Sequence, residues 1–171
     1  MTSPDCPELY NQSFPTMYAV LDSLHSYNRY LLLLALVFVL YRAYTGWLGK
    51  KPYEKLDNTA STALLGLTHL QLLLGLLLYF QSPLTTLARS DMGAAMKDSW
   101  QCYFGVEHLT TMIIAVVLIQ LGRTFSKKAG NDTDKFKKLA IYTTIAALLI
   151  IGTLASKGLL FATTDTVVVP G

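Results

Sequence analysis

Four stretches of this chain are too long and too continuously apolar for the surface of a small soluble domain. They run from Leu24 to Tyr44, Thr59 to Phe80, Gln101 to Leu121 and Leu139 to Ser156. A helix needs about 20 mostly apolar residues to cross the hydrocarbon of a bilayer. A chain of 171 residues has too little else to wrap four helices that are greasy all round. The composition agrees, because 52% of residues are apolar, only 15% are charged, and the apolar ones are clumped rather than periodic. The predicted fold is all-α: one polytopic membrane domain, residues 1–171, built as an up-down-up-down four-helix bundle with short connections between antiparallel neighbours.

Lysine and arginine set the expected orientation. Arg42, Lys50, Lys51 and Lys55 surround the first connection, and Arg123, Lys127, Lys128, Lys135, Lys137 and Lys138 fill the third. Against these ten, the outer side holds Arg89, Lys97 and Lys157, and nothing basic precedes Arg29. Both basic connections are therefore expected in the cytoplasm, with both termini outside. The positive charge is topological and implies no nucleic-acid partner. The first 20 residues carry Asp5 and Glu8 but no basic n-region or small-residue cleavage site, so the first span is expected to act as its own insertion signal. Cys6 and Cys102 would share the outer side, where a disulfide is permitted, though an idle tail thiol and a small packing residue are the plainer reading.

Punctuation places the ends of the spans. Asp57-Asn58-Thr59 offers N-caps for the second helix, and Ser82-Pro83 should end it. In the outer connection Leu84, Leu87, Ala88, Met92, Ala95 and Met96 recur at helical spacing, with Arg89, Ser90, Asp91, Lys97 and Asp98 mainly between them. That pattern predicts a short amphipathic helix lying in the membrane surface, with Trp100 as an interfacial anchor.

All three histidines fall in or at the edge of predicted spans: His25, His69 and His108. Ionisable groups within a membrane are costly and mark sites of function. With a rise of about 1.5 Å per residue, His69 should lie roughly 16 Å and His108 roughly 12 Å below the outer boundary, with Arg29 near 10 Å and His25 near 4 Å. Two neutral imidazoles at matched depth in a four-helix bundle suit a b-type haem, one on each face of the iron. Gly66 and Gly105 each stand three residues before one of these histidines. Positions three apart share a helix face, so each glycine offers a bare patch where a macrocycle can approach, or simply a packing site. Arg29 follows His25 by four residues and could pair with a haem propionate, or snorkel. His25 is a candidate partner for the other propionate, or an axial ligand itself.

Glu107 points about 100° away from His108 around a helix. It suits a proton acceptor beside a quinone, a partner for Arg29 or a second metal ligand, with Thr110, Thr111, Gln71 and Tyr103 as a polar neighbourhood; a protonated interhelical hydrogen bond is the plainer alternative. No Ser/His/Asp arrangement, phosphate loop, CxxC or HExxH is present, so a hydrolase or kinase of soluble type is not expected.

The segments "LHSYNRYLLLLALV", "LTHLQLLLGLLLYFQSP" and "FGVEHLTTMIIAVVLIQLGRTFSKK" resemble, in order and spacing, a family of small bacterial four-helix integral membrane proteins, common in the Bacteroidetes group and labelled as candidate cytochromes b. The likeness runs from His25 to about Ile151. It implies haem b, electron transfer within the membrane, and a role for His25, His69 and His108 without fixing which two bind iron. It also implies a bacterial inner membrane, and the leading reading is a redox component that passes electrons from quinol, with quinone and other respiratory membrane subunits as the expected partners. Two other readings stay open. One is a transition-metal protein that handles copper through His25, His69, His108 and Glu107, with Met92, Met96 and Met112 nearby. The other is a cofactor-free accessory or scaffold subunit whose polar residues are interhelical glue.

Overall fold

The computed structural model describes residues 16–159. Four long helices form the body: α1 (Thr16–Leu48), α2 (Lys55–Gln81), α6 (His108–Lys127) and α7 (Asp132–Ser156). Between α2 and α6 lie three short helices, α3 (Pro83–Ser90), α4 (Met92–Ala95) and α5 (Ser99–Cys102), and then a π-helical turn, Tyr103–Glu107, that runs into α6. Among the described residues there is no strand. The four spans, with Ser99–Lys127 counted as one, are long and apolar enough to cross a membrane. Their outward faces carry Leu34, Val37 and Leu148, each more than 60% exposed, which suits a lipid surround rather than water.

Each long helix packs beside its neighbours in sequence, and α7 returns against α1, closing a square with α1 and α6 at opposite corners. The α6–α7 seam is the most extensive and the α2–α6 seam the thinnest. The core is a column of Leu32, Leu36, Val39 and Ala43 from α1, Leu64 from α2, Ala115 and Ile119 from α6, and Leu139, Ala140, Ala147 and Ile150 from α7. Small residues let the α6–α7 backbones approach. A Cβ on Gly122 would stand 2.7 Å from that of Tyr142.

The long helices overrun the apolar stretches, and side-chain caps support the extra turns at the starts of α2 and α7. At 33 residues α1 is about 50 Å long, well beyond the hydrocarbon. The second helix does not start at an Asp57-Asn58-Thr59 cap. It begins at Lys55 behind a Glu54 N-cap, and Asp57 sits at N3, completing a capping box with Glu54. Asp57 is drawn into that position by Arg42, whose Nε and Nη2 donate to its two carboxylate oxygens at 2.7 and 3.0 Å. Ser82-Pro83 does end α2: Ser82 is extended (ψ 131°), as the residue before proline prefers. The amphipathic helix expected in the second connection is split at Asp91, whose side chain accepts from the Ala94 amide at 2.9 Å and starts a new turn. Thr85, Ala88 and Ala95 face inward, while Arg89, Ser90 and Lys97 are exposed. Trp100 stacks on Phe104 at 5.9 Å, with the Lys157 ammonium over its ring.

Candidate functional site

Polar bonds hold α1 to α2 and fix their register. Asn28, 5% exposed, donates from Nδ2 to the Leu67 carbonyl at 3.1 Å and to Gln71 Oε1 at 2.6 Å. Gln71 answers from Nε2 to the His25 carbonyl at 3.0 Å. One turn toward the end of α2, the His25 ring lies over Gly75, where an added Cβ would stand 3.2 Å from its Cε1. That close approach works because glycine presents only backbone.

The α2–α6 register is set at both ends. Tyr79 donates its hydroxyl to the Gly105 carbonyl at 3.3 Å. Far along the seam, Arg123 donates to Asn58 and Thr62. Antiparallel helices tied at those points bring His108 level with about Leu76 and His69 level with about Ala115, about 10 Å apart along the bundle. The depth match expected of His69 and His108 is therefore not what the helices present. The reason lies in the entry to the third span. Trp100–Cys102 stand beyond the end of α2, and the chain draws level with that end only near Tyr103, so His108 lies shallower than a count from Trp100 suggests.

His25 fills the place that His69 leaves. Contact with Gly75 puts it at the level of His108, on the opposite corner of the square. Each imidazole lies within electrostatic reach of Arg29, and His25 within reach of His108. Both rings have a buried Nδ1 with no hydrogen-bond partner. Buried polar atoms in native folds are nearly always paired, so two orphans at one level mark an incomplete site. His108 is packed by Tyr103 and Phe104, with ring centroids 5.6 and 6.2 Å away.

The remaining residues sort around that pair. His69 and Gly66 are both exposed on the outer face of α2, and nothing lies within 4 Å of a Cβ built on Gly66. Gly105 is buried, but Ala88 of α3 occupies its bare face, with its Cβ 2.9 Å from where a side chain would start. The π turn explains why spacing misled: the His108 amide donates to the Tyr103 carbonyl five residues back, so positions three apart here do not share a face. Arg29 bonds the Tyr30 hydroxyl at 3.3 Å and lies one turn further from the histidine end than His25, on the inner side of the pair rather than its outer side. Asn28 was missed as a site residue, although an asparagine inside an apolar span is itself a signal.

Glu107 does gain most of the polar neighbourhood expected of it. With Tyr103, Thr110 and Thr111 it lines a groove of about 450 Å³ against Gly152, Thr153 and Ser156 of α7. Gln71 is not in that groove, being held by Asn28 and His25. Tyr103, fully buried, donates to the Thr153 carbonyl at 3.0 Å and forms the groove's inner wall. Cys102 Sγ stands 3.8 Å from Glu107 Oε1 and from Met96 Sδ, while Cys6 lies outside the described residues.

Among the described residues no three or more of His, Cys, Asp and Glu gather as a metal-holding group, so the four-residue copper set built on His25, His69, His108 and Glu107 is not assembled. The chain matches no family model, no curated protein and no solved structure.

Proposed function

We propose that the chain is an electron-transfer protein of the bacterial inner membrane that holds a b-type haem between His25 and His108. The observation that carries this reading is a pair of half-buried imidazoles at one level on opposite corners of the bundle, each with a buried, unpartnered Nδ1. Such a pair fits a bis-histidine haem, which would supply a one-electron carrier. Gly75 seats the His25 ring against bare backbone, and Arg29 supplies a cation for a carboxylate of the macrocycle. Both basic connections lie at the other end of the bundle, which favours a cytoplasmic basic end and a site near the outer face. The resemblance to small four-helix membrane proteins labelled as candidate cytochromes b points the same way.

The groove beside Glu107 suits a quinol headgroup. Its hydroxyls and carboxylate can bond the ring oxygens, and Glu107 is placed to accept the proton released on oxidation. Tyr103 separates that groove from His108, whose ring it touches.

The test is an oxidised and a reduced absorption spectrum of the purified, haem-replete protein. A reducible b-type band should be present, should vanish in His25→Ala and in His108→Ala, and should persist in His69→Ala. A band that survives loss of His25 but not of His69 would refute the assignment, and no band at all would refute the function. Glu107→Gln should keep the band while slowing its reduction by quinol.

A further inference from the structure

The end of the bundle remote from the histidines holds a second incomplete site. Arg123 on α6 is only 7% exposed. Its Nη2 donates to Asn58 Oδ1 at 2.6 Å and Thr62 Oγ1 at 2.9 Å, both neutral acceptors from α2. Its Nη1 is buried without a partner, and so is the Oγ of Ser126, three residues on and on the same face. Among the described residues the ion pairs are Arg42 with Glu54 and Asp57, and Lys135 with Asp132, so no carboxylate balances Arg123. A buried charge without a counter-charge costs several kcal/mol.

Arg123 and Ser126 line a cavity of about 310 Å³ at the thin α2–α6 seam, together with Lys55, Asn58, Lys127 and Lys135. Glu54 also lines it, but its carboxylate is engaged by Arg42 at 3.3 Å, and Lys135 is engaged by Asp132 at 2.8 Å. What remains is a guanidinium, a hydroxyl and two lysines facing one space. We infer that this cavity binds a phosphate group, with Arg123 and Ser126 as inner donors and Lys55 and Lys127 at the rim. A phosphate oxygen accepts from guanidinium and hydroxyl alike, and arginine is well matched to phosphate geometry. The cavity opens at the basic end, where headgroups of anionic phospholipids gather, and free phosphate offers the same chemistry.

The experiment is titration calorimetry of the full-length protein in a neutral detergent, with dioctanoyl-phosphatidylglycerol in one arm and inorganic phosphate in the other. Arg123→Gln should weaken binding by about tenfold or more, because it removes a charged donor. Lys127→Gln, at an exposed position, should weaken it by about threefold as a rim charge, and Lys97→Gln at the opposite end should leave it unchanged. Binding of the lipid alone identifies a headgroup site, and binding of inorganic phosphate with the same Arg123 dependence identifies a free-anion site. Absence of binding in both arms overturns the proposal. So does binding that neither Arg123→Gln nor Lys127→Gln weakens.

Discussion

Gly66 and Gly105 each precede a histidine by three residues, yet alanine at the two positions should move stability in opposite directions. Gly66 is exposed on α2 with nothing within 4 Å of a new Cβ, so Gly66→Ala only removes the entropy penalty of a helical glycine. That gain is about 0.5 to 1 kcal/mol. Gly105→Ala makes the same gain but drives its methyl to 2.9 Å from the Ala88 Cβ, a contact between two short side chains that cannot rotate away. Overpacking of that kind costs about 1 to 3 kcal/mol. The net expectation is a loss of roughly 0 to 2.5 kcal/mol for Gly105→Ala, and a difference of about 1 to 3 kcal/mol between the two variants. Denaturant unfolding in a mild detergent, followed by the fluorescence of Trp47 and Trp100, measures both. Equal shifts of the same sign would refute the packing of α3 on the π turn. A second readout is local: Gly105→Ala should also loosen the Tyr79 hydroxyl bond to the neighbouring carbonyl and speed amide exchange over the π turn.

Other consequences are open to the same unfolding assay. Asp57→Ala should cost about 2 to 4 kcal/mol, below the full penalty of a broken buried pair because Arg42 keeps Glu54 and some solvent. Adding Arg42→Met should then cost little more, and full additivity in the double-mutant cycle would deny the pairing. Tyr103→Phe should lose about 1 kcal/mol as the Thr153 carbonyl loses its donor, and an unchanged midpoint would show that bond to be idle. Asn28→Leu should cost about 1 kcal/mol, the scale of an interhelical bond in a membrane protein, by removing its bonds to the Leu67 carbonyl and Gln71 while the Gln71 bond to the His25 carbonyl remains.

The fold was legible because hydrocarbon leaves the backbone so few options: apolar stretches of this length become helices, and short connections make them antiparallel. Ser82-Pro83 was equally plain, since proline ends a helix by its own ring. The start of α2 was less so. Asp57 reads as a cap in isolation, and only Arg42, fifteen residues back, shows that it belongs inside the first turn. The candidate site was half legible. That histidines in spans mark chemistry could be read from their cost, but which two face each other depends on register, and register depends on where each helix enters. Counted from Trp100 at the head of the third span, His108 lies about 12 Å deep, whereas the chain draws level with the end of α2 only at Tyr103. An insertion of one residue into a helix leaves no periodic trace when its neighbours are all apolar or aromatic.

That turn also accounts for two ionisable neighbours, Glu107 and His108, in one greasy span. A π turn widens the helix, and within it the Gly105 carbonyl accepts from the Tyr79 hydroxyl. It resets the phase of the helix just before α6, so that His108 turns toward the bundle interior and Glu107 toward the groove beside α7. Adjacent in sequence, the two serve different spaces separated by the Tyr103 ring. If the inner space carries electrons and the outer one receives protons, both products of a quinol oxidation leave from neighbouring residues without sharing a path. A regular helix would still separate the two by about 100°, but it would leave Gly105 on the His108 face and remove the seat of Ala88. The irregular turn is therefore what lets one short segment close the site from above and divide it within.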